Sequence, residues 1–172
     1  MEIENEKMDC KQISKDKKKI LCGIGFWFLS LTWGILLSLI GFMIGVVLLI
    51  CGVKPKRIGW FVYFEVGENW GGFELGGLFV VNKGADKELI EHELGHGVQN
   101  IMFGVFMIFI VCIPSMVRYW WRRIRRKMGC PEEKMKSYNS FWVERSASEL
   151  GAKTCEKWGF WEREEWERNG RR

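Results

Sequence analysis

Histidine is scarce in this chain, and its cysteines follow no regular spacing. The 172 residues include two histidines, His92 and His96, so a site that needs a third histidine from the same chain is excluded. The six cysteines form no Cys-x-x-Cys pair. They indicate no disulfide framework, which fits a reducing, cytosolic environment.

Charge is absent from residues 20–53. A membrane-spanning helix needs about 20 apolar residues, so this stretch predicts either one long tilted helix or a tight hairpin of two short ones. Basic clusters lie on both sides of it, and another follows Val117. Positive charge favours the cytosolic face, and the hairpin is preferred because it puts all three clusters there. Residues 1–19 are predicted to be a flexible, charged tail.

Glycine, in contrast, is frequent in residues 20–53. Gly41 and Gly45 make a Gly-x-x-x-Gly pattern, which permits close contact between helices in lipid. Membrane helices are also rich in glycine for other reasons. A homo-oligomer formed through this segment is therefore one expected partner, beside the lipid bilayer itself.

The two histidines belong to one short pattern, His92-Glu93-Leu94-Gly95-His96. On a helix, residues four apart lie on one face, so both imidazoles can reach one metal ion. Glu93 can then polarise a water molecule on that metal. Asp86 is a plausible N-cap for this helix. The pattern predicts a zinc site, with one Zn²⁺ per chain.

A catalytic zinc site needs three protein ligands, so a third must come from elsewhere. No aspartate follows His96, which leaves glutamate as the oxygen ligand. Glu144 is the best candidate, because the small residues Ala147 and Gly151 continue its helical face and would permit close packing. Glu149 is the second candidate. Two further glutamates are less favoured because they lie in a predicted loop, Glu132 and Glu133.

These residues resemble the gluzincin branch of zinc metallopeptidases, in which His-Glu-x-x-His is followed by a helix that carries Glu-x-x-Ala. The resemblance implies that His92, His96 and Glu144 bind zinc and that Glu93 is the general base. Gluzincins often have an aspartate after the alanine that supports a ligand histidine. Here Ser148 stands at that position, so the support for the histidine is open.

Residues 60–152 also resemble small, largely uncharacterised bacterial membrane proteins. The likeness rests on four patterns in a fixed order: Gly-Gly-x-x-Leu-Gly, His-Glu-x-Gly-His-x-x-Gln, an apolar run that ends in Pro-Ser, and aromatic-x-Glu-x-x-Ala. The matching residues are 71–76, 92–99, the run ending at Pro114-Ser115, and 142–147. The order of the patterns supports the site and indicates nothing about the substrate.

The pattern along the chain predicts a mainly α membrane protein with a minimal zincin-like α+β unit. Residues 54–158 form that unit, with strands at 60–66 and 73–81 that make a small β-hairpin. The apolar segment 101–117 is too short for a full span and is expected to be re-entrant or interfacial. The basic and aromatic residues 118–127 indicate a headgroup anchor rather than a nucleic-acid site. Residues 159–172 are predicted to be a charged tail that contains tryptophan.

These features together predict a membrane-embedded zinc metallopeptidase that acts on peptides, with its site on the cytosolic side. The residue that would stabilise the oxyanion is open between Tyr138 and Arg145. One alternative is a non-catalytic membrane protein in which a structural or vestigial zinc organises a surface for a partner. A basic adaptor at a membrane or nucleic acid is a third hypothesis, and it leaves the His-Glu-x-x-His pattern unexplained.

Overall fold

The computed structural model describes residues 2–135, 137 and 140–161, with side chains from Ile13 onward except that of Glu132. This part of the chain is mostly helical and contains a small mixed sheet, which confirms the predicted mainly α class. Its helices and strands are α1 (Glu2–Thr32), α2 (Ile35–Ile50), β1 (Lys56–Ile58), β2 (Phe61–Glu65), β3 (Gly72–Leu75), β4 (Leu78–Val81), α3 (Lys87–Phe103), α4 (Ile113–Lys127) and α5 (Trp142–Trp158).

The sheet has the strand order β1-β2-β4-β3. β1 and β2 pair antiparallel, β2 and β4 parallel, and β3 and β4 antiparallel. The single strand predicted over 73–81 is therefore two strands, β3 and β4, which are joined by Gly76 and Gly77 and form a hairpin with each other. The hairpin predicted between 60–66 and 73–81 is wrong, because β2 pairs with β4 in parallel. Both glycines have positive φ, 69° and 97°, as a tight hairpin turn of this kind requires. The continuous apolar character of the segment hides this turn in the sequence.

One face of the sheet packs against α1, α3 and α5 to form the main core. This core buries five aromatic side chains, those of Phe26, Phe61, Tyr63, Phe79 and Phe160. Burial of each large apolar side chain contributes about 1.5–3 kcal/mol. The helix that the sequence predicted around Glu144 is α5, and among the described elements it makes its most extensive contact with α3.

Glycine sets the distance between α3 and α5. A methyl group on Gly95 would overlap the carbonyl oxygen of Ala147, and one on Gly151 would overlap that of Glu91. The two backbones are therefore in direct contact at two points along the helix pair. This close approach is the condition for side chains of α5 to reach the histidines of α3.

α1 and α2 form an elbow whose axes turn by 98° at the break between them. A hairpin would have placed the two helices side by side, whereas here they lie nearly at right angles. The inside of the elbow is polar. Ser30 Oγ donates to the carbonyl of Gly76 at 2.6 Å, Ser38 Oγ donates to the carbonyl of Ser30 at 2.7 Å, and Asn100 Nδ2 donates to Ser30 Oγ at 3.3 Å. The elbow is thus hydrogen-bonded to the sheet and to α3.

Two sequence expectations for this region differ from the structure. α1 begins at Glu2 and includes most of the segment predicted as a flexible tail, because lysine and glutamate are good helix formers and let the helix continue through the charged region. Gly41 and Gly45 are buried against Leu75 and Leu78 of the same chain. Their close contact is therefore with the sheet.

No single helix in the described part of the chain is long and apolar enough to cross a membrane. Two bent pairs qualify by length and composition alone: Ile13–Thr32 with Ile35–Ile50, and Lys87–Phe106 with Ile108–Lys127, the latter bent by 116°. The second bend follows Gly104, whose φ is +56° and which packs against the ring of Trp33. The apolar segment predicted over 101–117 therefore turns sharply at this point.

We predict that Gly95→Ala destabilises the fold, because the added methyl group has no space against Ala147. Overpacking of this kind costs typically 1–3 kcal/mol, so the apparent Tm in detergent should fall by several degrees. Gly25→Ala is the matched control, since Gly25 lies in α1 with nothing within 4 Å of an added Cβ. An unchanged Tm for Gly95→Ala would contradict the close packing of α3 and α5.

Candidate metal centre

α3 presents the two histidines to the same point. The helix begins where predicted, with Asp86 Oδ1 accepting a hydrogen bond from the Leu89 amide at 2.8 Å as the N-cap. His92 and His96 follow on one face, and their rings meet edge to face with centroids 4.7 Å apart. Their Nε2 atoms are 3.2 Å apart. Both imidazoles thus direct the same nitrogen to one place.

α5 brings Glu144 to that place. Glu144 Oε2 lies 3.1 Å from His92 Nε2 and 3.5 Å from His96 Nε2. Glu149, the other candidate, is exposed on α5. Glu144 Oε2 and the Nε2 atoms of His92 and His96 form a nearly equilateral triangle. A tetrahedral ion with bonds of 2.0–2.1 Å would separate its ligand atoms by about 3.3 Å. His92, His96 and Glu144 could therefore hold a metal ion without rearrangement.

Hydrogen bonds behind the histidines leave their Nε2 lone pairs available. Gln99 Nε2 donates to the Val143 carbonyl at 2.9 Å and to Ser146 Oγ at 2.7 Å. Its Oε1 must therefore accept from His96 Nδ1, 2.8 Å away, which puts the proton of neutral His96 on Nδ1. This tautomer is the one that binds a metal through Nε2.

Ser148 supports His92 in the same way. Its Oγ donates to the Glu144 carbonyl at 3.3 Å and lies 2.9 Å from His92 Nδ1, so it accepts a hydrogen bond from that nitrogen. Ser148, at the position where the Glu-x-x-Ala resemblance implies an aspartate, thus contacts one of the two histidines that could hold a metal ion. The support that the sequence left open is divided between Ser148 and Gln99.

Glu144 is 1 % exposed, and among the described residues neither of its carboxylate oxygens accepts a hydrogen bond of good geometry. A buried carboxylate in this state is costly unless a cation compensates it. Burial opposes ionisation, but the close imidazoles of His92 and His96 outweigh it and lower the pKa of Glu144 below its usual range. The residue is therefore an anion facing two nitrogens, as a metal ligand requires.

Burial and the neighbouring charged groups also shift the pKa of His96 and that of Glu93. Burial lowers the pKa of His96, but the neighbouring carboxylates of Glu144 and Glu93 outweigh it and raise the pKa to about 9. A proton thus competes for the position between the ligands, and a metal ion must displace it. Glu93 is 3 % exposed, and burial raises its pKa although His96 and His92 lower it.

A cavity of about 520 Å³ opens onto His92 and Glu93. Glu93 lies against the start of the edge strand β3, where a side chain on Gly72 would meet its carboxylate at 2.7 Å. The far wall belongs to α4. The residues that line the cavity are Asn69, Trp70, Gly71, Gly72, Leu89, His92, Glu93, Tyr119, Arg122, Arg123 and Arg126.

The α4 wall of this cavity was missed in the sequence, where residues 118–127 were assigned to the membrane surface alone. Arg123 Nη1 donates to the hydroxyl oxygen of Tyr119 at 2.9 Å. The 3.6-residue spacing of Tyr119, Arg122 and Arg126 was the available signal. Of the oxyanion candidates taken from the sequence, Arg145 is exposed on α5 and is not part of the cavity lining, and Tyr138 is outside the described residues.

Glu74 is a second acidic residue that the sequence did not single out. It lies on β3 and is 8 % exposed, and its Oε1 accepts a hydrogen bond from the Gly77 amide at 2.5 Å. Burial raises the pKa of Glu74 to about 8, although that hydrogen bond lowers it.

Comparison of the chain with protein-family models, curated proteins and solved structures finds no match. The function must therefore be inferred from the residues and their geometry.

We predict that Ser148→Ala weakens metal binding by about 10- to 100-fold, because loss of an outer hydrogen bond to a ligand histidine has effects of this size. The fold should be retained, since the change removes one partly buried hydroxyl group. Competition with a zinc-sensitive dye would give the affinity. Glu149→Gln, one position further on α5 and exposed, is the control. Equal affinities for the two variants would rule out a role for Ser148.

Proposed function

We propose that the protein is a membrane-attached zinc metallopeptidase. The observation that carries this proposal is the combination of three convergent ligand atoms with a carboxylate beside an open cavity. Structural zinc sites are usually closed by four protein ligands, whereas catalytic sites keep one position for water or substrate. His92, His96 and Glu144 would supply three ligands, and one of them, His92, lines the cavity together with Glu93.

The donor set favours zinc, since two imidazoles and one carboxylate are a ligand set of catalytic zinc sites. Zinc held there supplies Lewis acidity, which polarises a carbonyl group and lowers the pKa of a water molecule to about 7. The chain supplies the groups that orient the ligands, exclude bulk water and move protons.

Glu93 is the proton carrier in this proposal. One of its carboxylate oxygens, Oε2, has no hydrogen-bond partner among the described residues. Burial raises the pKa of Glu93 above that of a free glutamate, and a perturbed pKa of this kind is common in catalytic acids and bases. Glu93 accepts the proton of the attacking water and returns it to the leaving amine. Burial between α3 and β3 keeps the carboxylate in position for both transfers.

The edge strand β3 provides a place for an extended peptide. In the described sheet β3 pairs with β4 on one side, and its first residue, Gly72, lies against Glu93. An exposed strand edge can bind a peptide backbone by adding a strand. A peptide paired with β3 would run past the histidines with its backbone fixed. Tyr119 and Arg123, in the facing wall, are then the candidates to stabilise an oxyanion.

Two exposed apolar surfaces support the proposed attachment to a bilayer. Along the outer face of the α1–α2 elbow, large apolar side chains such as Phe28 and Phe42 are exposed. The outer face of α4 carries Val117, Trp121 and Ile124, which are 61 %, 59 % and 49 % exposed. Such contiguous apolar patches are rare on soluble monomers. The basic residues beside both surfaces favour the cytosolic face of the membrane.

A structural or vestigial zinc site explains the same geometry less well. A purely structural site has no use for a buried general base at its edge, nor for a cavity that opens onto it. Burial of the Glu93 carboxylate costs desolvation free energy. A role as general base explains why the residue is buried at this position. The scaffold alternative becomes the better account if hydrolysis is absent from a chain that holds zinc.

We predict that Glu93→Gln abolishes peptide hydrolysis and retains one zinc per chain. The amide keeps the shape of the side chain but cannot accept the proton, and loss of a general base costs about 10²–10⁴-fold in rate. Hydrolysis of a mixed peptide library by the purified full chain, read by mass spectrometry, measures the effect. Glu88→Gln, exposed on the first turn of α3, is the control. Full activity in Glu93→Gln would disprove the mechanism.

The membrane proposal has a separate test. Wild-type chain expressed in cells should stay in the membrane pellet after extraction with alkaline carbonate and should enter solution only with detergent. Phe28→Gln combined with Phe42→Gln should shift a measurable fraction to the supernatant, because each change removes about 1.5–3 kcal/mol of apolar burial in lipid. Recovery of the wild type in the carbonate supernatant would show that the exposed surfaces serve another purpose.

A further inference from the structure

α4 has two chemically different faces. Val117, Trp121 and Ile124 are spaced four and three residues apart and form the exposed apolar face. Tyr119, Arg122, Arg123 and Arg126 have the spacing i, i+3, i+4 and i+7 and form a second face, which lines the cavity. At 100° per residue the two sets lie on opposite sides of the helix. α4 is therefore a partition between an apolar outer surface and a cationic inner one.

Arginine is the most frequent charged residue in the lining of the cavity. Three arginines line its wall, and among the residues that line it the acidic one is Glu93. A site that served only to hold zinc and to exchange water would gain nothing from three guanidinium groups. A concave, partly enclosed wall strengthens the field of these charges and raises the local concentration of anions.

The chemistry of arginine narrows what such a wall can bind. A guanidinium group offers five donors in a planar arrangement that matches a carboxylate in two parallel hydrogen bonds. Arg123 already donates one of its hydrogen bonds to Tyr119, which fixes the direction of its planar group. Arg122, which is half-buried, and Arg126 lie one helical turn apart on the same face. Neighbouring guanidinium groups at this spacing can bind one carboxylate together.

We propose that this arginine face binds a carboxylate of the peptide substrate and so selects acidic peptides. The inference rests on the proposed peptidase function and deepens it. The carboxylate belongs either to an aspartate or glutamate side chain or to the C-terminus of the peptide. In both cases it lies across the cavity from His92 and Glu93, and the scissile bond is held between the arginine face and the metal ligands.

Binding to the full-length Glu93→Gln variant, loaded with zinc, tests the proposal without any need for hydrolysis. The probes are labelled decapeptides in matched sets, in which glutamate replaces glutamine at each position in turn. Each peptide is made with a free and with an amidated C-terminus, so that the two sources of carboxylate are distinguished. We expect at least one acidic member to bind about tenfold more tightly than its neutral partner, as a charge-assisted pair allows. Added salt should weaken the preference.

Two triple variants of the arginine face separate charge from structure. Arg122→Gln, Arg123→Gln and Arg126→Gln together should reduce the preference to less than about twofold. Changing the same three residues to lysine should keep part of it, because the charge remains and the paired hydrogen bonds are lost. Lys127→Gln removes one charge from the same helix outside the cavity and should leave the preference unchanged. The zinc content of each variant reports whether the fold is intact.

The outcomes distinguish this inference from the proposed function. Equal binding of acidic and neutral peptides, or a preference that survives the glutamine triple variant, overturns the inference even if the wild type hydrolyses peptides. Selective binding of acidic peptides that depends on the three arginines supports it, even if the wild type hydrolyses none of them. In that case the cavity is a binding site for acidic peptides and the peptidase proposal fails.

Discussion

The contact between the backbones of α3 and α5 is the constraint on which the rest of the structure depends. Gly95 and Gly151 permit this contact, since any larger residue would meet a carbonyl oxygen of the opposite helix. Glu144 reaches the histidines only because the helices are this close. The three residues that could hold a metal ion are thus brought together by the absence of side chains at two glycines. A glycine within a helix costs about 1 kcal/mol relative to alanine, and this geometry offsets the cost.

Hydrogen bonds at Nδ1 of both histidines orient the rings and place the proton of each neutral imidazole on Nδ1. Gln99 is held by two acceptors on α5 and in turn orders the proton of His96. Ser148 does the same for His92 from the other helix. Both histidines of α3 are therefore oriented by hydrogen bonds that involve α5, and the two helices are coupled. Disturbance of the helix packing is expected to weaken metal binding before the main core is lost.

The sequence predicted the part of the site that is local and left open the part that depends on distant contacts. The N-cap at Asp86 and the shared face of His92 and His96 follow from helical spacing alone. Glu144 was preferred to Glu149 because a stripe of small residues continues its face, which is a physical reason that operates across one helix. The turn at Gly76 was missed, since an apolar run does not reveal where a strand reverses.

The role of α4 could not be inferred from the sequence for a different reason. Its arginines reach the cavity only because the chain bends by 116° between α3 and α4, and that bend depends on Gly104 packing against Trp33 from the distant elbow. Local patterns show that the helix is amphipathic and do not show which face turns inward. The same limit applies to the α1–α2 elbow, whose right angle is set by hydrogen bonds to Gly76 and Asn100.

X-ray absorption at the zinc edge, on the purified full chain, tests the central claim most directly. The account predicts nitrogen and oxygen neighbours at about 2.0–2.1 Å and outer-shell scattering from two imidazoles. It predicts no sulfur neighbour, although the chain contains six cysteines. A sulfur shell at about 2.3 Å, or a spectrum without imidazole scattering, would contradict a zinc centre built from His92, His96 and Glu144.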